Sequence, residues 1–308
     1  MKEIITTDNL TKQYGKVLAV DRISLEVGKG EIYGFLGLNG AGKTTTIRML
    51  LGMIRPTSGR VFINGKRVDP DSRDLWRSIG YIVEVPYSYP ELTVRDNLEI
   101  VRRLRHIPDI CAVDRIMDQL MLTSYKDRKV KNLSLGNAQR LGIAKALLHH
   151  PEILILDEPS NGLDPAGIVE IRALLLDLSH NHGVTVFISS HILGEISRLA
   201  TRVGIIHQGR MVIEVDTNEL ERLRNKCLII NTRDKVAAKA VLDHAGYSTK
   251  TDHEGNIISS DERAINRPDE IACALVKAGI PPILLKVEVE DLETYFLRTI
   301  GSKEVRQA

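Results

Sequence analysis

A glycine-rich segment with one lysine and two threonines carries the clearest chemical signal in this chain. It fits G-x-x-x-x-G-K-[ST], the phosphate-binding loop, and it consists of Gly37, Leu38, Asn39, Gly40, Ala41, Gly42, Lys43, Thr44 and Thr45. Glycines have no Cβ, so the backbone N–H groups of such a loop can approach phosphate oxygens closely. We expect Lys43 to place its charge on the β- and γ-phosphates and the Thr44 hydroxyl to bind Mg²⁺.

The flanks of this loop separate it from an ordinary glycine turn. Residues 31–36 form a short and mostly apolar segment, which is typical of a buried strand. After the loop, apolar residues recur at the spacing of one helix face, at Ile47, Leu50, Leu51 and Ile54. A helix that begins at about Lys43 would point the positive end of its dipole at the same anion.

Two adjacent carboxylates follow a second apolar run. Residues 153–156 are all aliphatic, as in a strand covered on both faces of a parallel sheet. Asp157 and Glu158 come at the carboxyl end of this strand, where open α/β sheets bind ligands. We expect Asp157 to hold the Mg²⁺ shell and Glu158 to polarise the water that attacks the γ-phosphate.

Two more residues are candidates for the same site. His191 follows the predicted strand 184–188, so it would lie at the same sheet edge as the acids and contact the γ-phosphate. A structural histidine is the alternative interpretation. Tyr14, which we predict in a loop over residues 12–15, could stack on an adenine ring, although a plain surface tyrosine is an equal alternative.

Helix starts are predicted at several polar residues. Ser134 is suited to cap a helix with apolar positions Leu141, Ala144 and Leu148. Asp164 would cap a helix that has Pro165 at its first position.

Residues of about 85–150 are predicted to be mainly helical. Thr93 with Asp96 indicates another helix start, and a further helix is predicted over 113–120. A basic group near the end of the first of these helices, Arg102, Arg103 and Arg105, suits either a solvated helix face or a lipid or acidic partner.

Composition excludes several classes of protein. The chain has 308 residues, 43% of them hydrophobic and 27% charged, which predicts about two globular domains. Its net charge of +2 gives no general attraction to nucleic acid. Three scattered cysteines favour reduced thiols and a cytosolic setting. We find no signal-peptide pattern and no run of 18 apolar residues, so any membrane role is expected to need a partner.

The sequence changes in character at about residue 216. Beyond it, strands are predicted over 227–232, 256–260 and 283–289, and helices over 235–245, 267–278 and 291–300. No further phosphate or metal motif appears there. We therefore predict a small accessory α+β domain over residues 217–308.

With these residues together, residues 1–216 resemble the ATP-binding cassette (ABC) ATPase of ABC transporters. The matching segments follow the order of that family, and they are the Walker A loop at Gly37 to Thr45, Glu84 at the usual Q-loop glutamine, the LSGGQ-like signature at Leu133 to Asn137, Walker B at Ile153 to Glu158, the D-loop at Asn161 to Asp164, the switch histidine at His191 and the adenine-stacking position at Tyr14.

The resemblance implies an α/β P-loop NTPase core with a β subdomain, a helical subdomain at about 85–150 and the small C-terminal domain. It implies ATP and Mg²⁺ as cofactors, with Glu84 and Asp164 near the bound nucleotide. Two cassettes of this family meet head to tail, so that Ser134 and Gly136 would touch the γ-phosphate held by the other copy. The partner would be a second copy or a second ATPase subunit.

A separate membrane permease is implied as well, docked near residues 84–105, so the protein would lie on the inner face of the cell membrane. Leu135 and Asn137 depart from the usual signature, and Glu84 replaces glutamine. These departures resemble the ATPases of bacitracin-resistance and lantibiotic-immunity exporters, and the tail at 292–296 resembles the accessory domain of ATPases that serve this broader exporter group. Glu84 would bring an extra negative charge close to Mg²⁺.

Three functions are compatible with parts of this pattern. An ATPase that powers export through a permease is favoured. A soluble ABC-type ATPase acting on DNA or ribosomes would be expected to carry a coiled-coil insertion or two cassettes with a basic linker, and neither is present. A nucleotide sensor that does not hydrolyse ATP is disfavoured because Lys43, Asp157 and Glu158 are all intact.

Overall fold

The computed structural model describes residues 2–69, 73–84 and 86–304, so Val85 of the predicted docking region 84–105 lies outside it. The chain divides into two compact units, one ending at Asn218 and the other starting at Glu219. We call them the ATPase unit and the C-terminal unit. The division falls two residues beyond the expected domain boundary.

The strands described in the ATPase unit form two sheets. They are β1 (Glu3–Tyr14), β2 (Val17–Gly28), β3 (Ile32–Leu36), β4 (Ser58–Ile63), β5 (Lys66–Arg67), β6 (Ile79–Ile82), β7 (Ile153–Asp157), β8 (Thr185–Ser190), β9 (Arg202–His207) and β10 (Arg210–Asp216). The antiparallel sheet has the order β2-β1-β4-β5, and the second sheet has the order β10-β9-β3-β8-β7-β6. In the second sheet β10 is antiparallel to β9, and the neighbouring pairs from β9 to β6 are parallel.

The helices of this unit follow strands of the second sheet along the chain. They are α1 (Lys43–Leu50), α2 (Val94–Leu104), α3 (Ala112–Gln119), α4 (Leu135–Leu147), α5 (Pro165–His180), α6 (Leu193–Ile196) and, across the division, α7 (Thr217–Leu223). Short 3-10 turns lie at Arg73–Arg77, Thr123–Tyr125 and Val130–Asn132. The P-loop α/β fold expected from the sequence is confirmed.

The apolar runs form the buried strands for the expected reason. Every residue of β3, β7 and β8 is buried, which suits strands covered on both faces. Phe187 of β8 packs against Tyr33 and Phe35 of β3, with ring centroids 5.5 and 5.4 Å apart. This rigid centre holds the carboxyl ends of β3, β7 and β8 side by side.

The helical region of the ATPase unit begins with a complete capping box. Thr93 accepts from the Asp96 N–H, and the Asp96 side chain accepts from the Thr93 N–H, as the sequence predicts. The basic group serves the structure. Arg102 and Arg103 bind Glu99 and lower its pKa to about 2, and Arg105 donates to the Trp76 carbonyl.

The sequence-based placement of Tyr14 in a loop is wrong. Tyr14 is the last residue of β1 and pairs with Val17 of β2, because the turn between the two strands is only two residues long. Gly15 takes a φ of +56° in that turn.

The C-terminal unit is a small α+β domain. An antiparallel sheet of order β12-β13-β11-β14 is formed by β11 (Lys226–Thr232), β12 (Thr249–Thr251), β13 (Ile257–Ser259) and β14 (Pro282–Val289). The remaining helices are α8 (Lys235–His244), α9 (Glu262–Asn266), α10 (Pro268–Lys277) and α11 (Leu292–Glu304). Leu228 and Ile230 of β11 pack with Leu242, Ile271 and Leu275 in its apolar core.

Helices that could cross a bilayer, by length and apolar character, do not occur in the part of the chain that the structure describes.

Candidate functional site

The glycine-rich loop joins the buried end of β3 to α1. Gly40 and Gly42 have φ values of +80° and +108°, which are costly for residues with a side chain. A Cβ on Gly42 would lie 2.5 Å from the Ala19 carbonyl oxygen, and one on Gly37 would lie 2.5 Å from the Ile206 carbonyl oxygen. The loop is therefore held tightly against β2 and β9, and its shape depends on glycine at these positions.

Lys43 is buried beneath this loop. Its Nζ donates to the Gly37 carbonyl at 2.6 Å and to the Leu38 carbonyl at 3.3 Å, and it lies 3.1 Å from Oε1 of Glu158. The lysine side chain is only 6% exposed. A cation in this position faces both the loop backbone and the end of β7.

Thr44 lies opposite Asp157, the last residue of β7. The Thr44 hydroxyl donates to Oδ2 of Asp157 at 2.7 Å, and the Ser189 hydroxyl donates to Oδ1 at 2.5 Å. Both carboxylate oxygens are thus oriented by hydroxyl groups from neighbouring elements. A hydroxyl and a carboxylate are oxygen donors of the kind that Mg²⁺ prefers, and Mg²⁺ bound with a nucleotide commonly takes one or two carboxylates.

Larger metal-binding groups do not occur in the described residues, where no cluster of three or more His, Cys, Asp or Glu side chains is suitably placed. The small donor set of Thr44 and Asp157 therefore fits an ion that is completed by phosphate oxygens and water. It does not fit a metal held by protein ligands alone.

Glu158 is fixed at the turn that follows β7. Its φ is +50°, and its N–H donates to the carbonyl and to the hydroxyl of Ser189 at 3.2 and 3.1 Å. Its Oε2 lies 2.8 Å from Nδ1 of His191. Each oxygen of this carboxylate therefore has one partner, Lys43 on one side and His191 on the other.

These groups border one open cavity of about 280 Å³. Its lining includes seven of the predicted loop residues, together with Glu158, His191, Ala19 and Asn161. The loop members are Leu38, Asn39, Gly40, Gly42, Lys43, Thr44 and Thr45, of which only Leu38 has an apolar side chain. The structure thus brings together the loop, the acid and the histidine that the sequence proposed for one site.

Other predicted site residues lie outside this lining. Tyr14 is 47% exposed, with the Lys12 ammonium 4.9 Å from its ring centroid. Glu84, proposed as a metal neighbour, instead binds Arg48 at 2.7 Å and has a φ of +57°. Strand β6 ends at Ile82, so Glu84 lies beyond the sheet.

Ser134 and Asp164 cap helices, as predicted. The Ser134 hydroxyl accepts from the Asn137 N–H at 3.3 Å at the start of α4, and Asp164 accepts from the Gly167 N–H at 2.9 Å at the start of α5. Gly136 lies in the first turn of α4, where a Cβ would be 3.5 Å from the Gly162 carbonyl. None of the three residues lines the cavity of its own chain.

Helix α4 is tied to the segment that follows Glu84. Lys145 donates to the Tyr87 carbonyl and to the Ser88 hydroxyl, each at 2.8 Å, and burial lowers the pKa of Lys145 to about 8. A Cβ on Gly142 would lie 2.4 Å from Cβ of Pro86. The signature-like segment and the Glu84 segment are therefore in close contact through α4.

Sequence reasoning missed two contributors to the site, Ser189 and Ala19, and assigned Asn161 only to the D-loop. Ser189 orients Asp157 and holds Glu158, whereas Ala19 and Asn161 line the cavity. A polar end to the apolar strand β8 was a usable signal for Ser189. Ala19 had none, because its position depends on how β2 packs against the glycine loop.

Comparison with known proteins agrees with this geometry. The family model described as "ABC transporter" matches residues 20–161. The chain is 42% identical to the bacitracin transport ATP-binding protein BcrA of Bacillus licheniformis, over 98% of this chain and 98% of that protein. It is 37% identical to the lantibiotic transport ATP-binding protein SrtF of Streptococcus pyogenes, over 75% of this chain and 100% of that protein.

Solved structures give the same result. A bacterial ABC transporter cassette solved as a dimer superimposes with a TM-score of 0.64 at 26% identity, covering 70% of this chain and 99% of the cassette.

Proposed function

The chain belongs to the ABC transporter family as an ATPase subunit, and we propose that it powers export of a peptide antibiotic or a similar drug-like or lipid-like cargo through a separate permease. The observation that carries this proposal is the position of Glu158, fixed between Lys43 and His191 beside the glycine loop.

Each residue of the site has a proposed task in hydrolysis. The loop N–H groups and Lys43 hold the phosphates and neutralise charge as it develops. Glu158 accepts a proton from the attacking water, and His191 orients that carboxylate and contacts the γ-phosphate. Thr44 and Asp157 would hold Mg²⁺, which would supply further neutralisation of phosphate charge.

The ion pair of Lys43 with Glu158 gives the site a resting arrangement. Oε1 of Glu158 lies beside the lysine charge, which makes this oxygen a weaker proton acceptor while that contact persists. A triphosphate carries more negative charge than one carboxylate and would draw Lys43 towards itself. Nucleotide binding would therefore free the base at the moment when its substrate arrives.

The position of the signature-like segment supports a dimer. Ser134 and Gly136 present a helix start and a hydroxyl, but not to the cavity of their own chain. Helix N-termini bind anions well, so we propose that they contact the γ-phosphate held by a second copy or by a second ATPase subunit. Asp164, at the start of α5, would lie near the same interface.

The exporter assignment rests on the relatives and on the Glu84 segment. BcrA and SrtF are described as transport proteins for bacitracin and for a lantibiotic. The half-exposed aromatic segment after Glu84, with Tyr87 at 76% and Tyr89 at 46% exposure, suits docking to a permease. The protein would then be peripheral on the inner face of the cell membrane.

Glu158→Gln tests the assignment of the base. We expect ATP turnover to fall about 1,000-fold, since general-base catalysis is removed, while ATP stays bound between two copies and remains with the protein through gel filtration. Glu152→Gln is the matched control, because Glu152 is exposed at the opposite end of β7. Turnover by Glu158→Gln at the parent rate would refute the assignment.

Transport is separated from the alternative, a soluble ABC-type ATPase in a non-transport process, by purification from membranes. We expect a polytopic membrane protein to copurify with the chain. Cells that lack both proteins should accumulate the cargo or become sensitive to it. Unchanged sensitivity together with a purely soluble partner would favour the alternative.

A further inference from the structure

The outer edge of β14 is an open strand edge in the C-terminal unit. β14 pairs on one side with β11, and its other side has no partner strand among residues 2–69, 73–84 and 86–304. Open edges of this length are templates for pairing with another chain.

The hydrogen-bond pattern identifies the groups that face outwards. The Glu290 N–H donates to the Asn225 carbonyl at 2.8 Å, and the register then pairs Cys227 with Glu288 and Ile229 with Lys286. In an antiparallel ladder, bonded and non-bonded pairs alternate. The N–H and C=O groups of Leu285, Val287 and Val289 must therefore point away from β11.

Three exposed side chains of this strand are large and apolar. Ile283 is 66% exposed, Leu284 43% and Val287 37%. Lys286 and Glu288 are the charged residues of the strand, and they bind each other at 2.9 Å. An apolar edge with one positive and one negative charge can match a second copy of itself.

We propose that β14 pairs with β14 of a second copy in antiparallel fashion, with Val287 on the two-fold axis. This register places outward-facing groups opposite one another, Leu285 against Val289 of the partner copy. It also places Lys286 opposite Glu288 of the other copy twice, once on each side of the axis.

Neighbouring registers are less favourable. An axis at Lys286 would set the two lysines directly opposite each other, which is repulsive. An axis at Leu285 would leave Lys286 opposite Leu284 and Glu288 opposite Pro282. The charges of the strand therefore select the register centred on Val287.

This contact needs no nucleotide, so it goes beyond the proposed ATPase dimer. It would join the two C-terminal sheets into one continuous sheet across two copies. The shared strand is short, so we expect a weak, micromolar association.

Charge reversal tests the pairing in the full-length chain without nucleotide and with EDTA, by sedimentation equilibrium. The parent should dimerise reversibly. Lys286→Glu alone, and Glu288→Lys alone, should each weaken the association constant about tenfold, because two attractive pairs become repulsive. The double variant restores both pairs and should return the constant to within about threefold of the parent, which also shows that the strand still folds.

Cross-linking tests the register. In a background with Cys111, Cys227 and Cys273 replaced by serine, Val287→Cys should form a disulfide dimer, since directly opposite residues lie about 5.5 Å apart. Ile283→Cys is the matched control: it is more exposed, but in this register it would lie roughly 25 Å from its copy.

The proposal is overturned if the parent is monomeric at micromolar concentration, if the single charge reversals leave its dimer unchanged, or if Ile283→Cys cross-links as fast as Val287→Cys. A monomeric parent would indicate that any occupant of this edge is a strand from another protein.

Discussion

The ATPase unit and the C-terminal unit both pack helices on a sheet, yet they place their polar side chains differently. In the ATPase unit β3, β7 and β8 run parallel, so the residues that follow them meet at one edge. In the C-terminal unit every described neighbour is antiparallel, so successive strands end at opposite edges. Strand direction therefore explains why reactive groups converge in the ATPase unit. The C-terminal unit instead has strand edges and faces that can contact another chain.

Lys43→Met should have the largest effect on ATP binding. This effect should be confined to the ATPase unit. The variant loses a buried cation that faces the phosphates, so ATP affinity should fall about 100-fold. Lys29→Met, at an exposed turn before β3, should bind ATP like the parent. Fluorescent nucleotide titration measures both, and equal affinities would show that the loop is not the phosphate site.

Ile230→Ala should lower the stability of the C-terminal unit only. Ile230 is fully buried in the core of the C-terminal unit, so truncation should destabilise that unit by about 3 kcal/mol. ATP affinity should stay within about twofold, because the phosphate site lies in the other unit. Val236→Ala, at an 82% exposed position, serves as the control.

Trp76 allows the two units to be followed separately during denaturation with urea. It is the single tryptophan of the chain and it lies in the ATPase unit, so its fluorescence reports that unit while circular dichroism reports both. An early loss of Trp76 signal in Ile230→Ala would show that the units unfold together.

His149 should give the ATPase unit a specific sensitivity to acid. Burial, and then the charge of Arg105, lower the pKa of His149 to about 4, below its ordinary value of 6.5. The native state resists protonation, so the stabilising contribution is complete above pH 6.5 and is lost as the pH falls towards 4. We expect a loss of about 2 kcal/mol over that range, after a discount for partial exposure.

Variants of His149 and its neighbour identify the part of the pH-dependent stability that comes from His149. In His149→Leu this part of the pH dependence should disappear from the Trp76 unfolding curve, whereas His150→Leu, at an exposed neighbouring position, should retain it. Parallel curves for the parent and His149→Leu would contradict the prediction.

Tyr14→Ala should have the smallest effect. If the exposed ring stacks on adenine, ATP and ADP affinities should both fall about fivefold, near 1 kcal/mol. Tyr14→Phe keeps the ring and should bind like the parent. Equal affinity of the alanine variant would leave Tyr14 as a surface residue at the end of β1.

The sequence predicted most of the ATPase unit because local signals agreed there. The loop from Gly37, the capping box at Thr93 and the strand before Asp157 each combine a motif with a matching hydrophobic period. Ser189 and Ala19 were missed because their roles arise only when β8 and β2 approach the loop.

Prediction was coarser in the C-terminal unit. Its longer elements and the three-residue strand β13 were found. Helix α7, strand β12 and helix α9 were not found, because seven, three and five residues are too few for a reliable period. The open edge of β14 was also invisible in the sequence. A strand lies at an edge because it has no neighbour on one side, and its own residues do not show this.

The shared site of two copies is tested most directly at Ser134, in the Glu158→Gln background. Asparagine and aspartate both cap helices as well as serine does, so Ser134→Asn and Ser134→Asp should keep α4 intact. The measurement is the rate at which bound ATP dissociates. We predict slow release from Ser134→Asn and release at least about tenfold faster from Ser134→Asp, whose negative charge would face the γ-phosphate of the other copy. Equal rates in these two variants would contradict a site completed by the second copy.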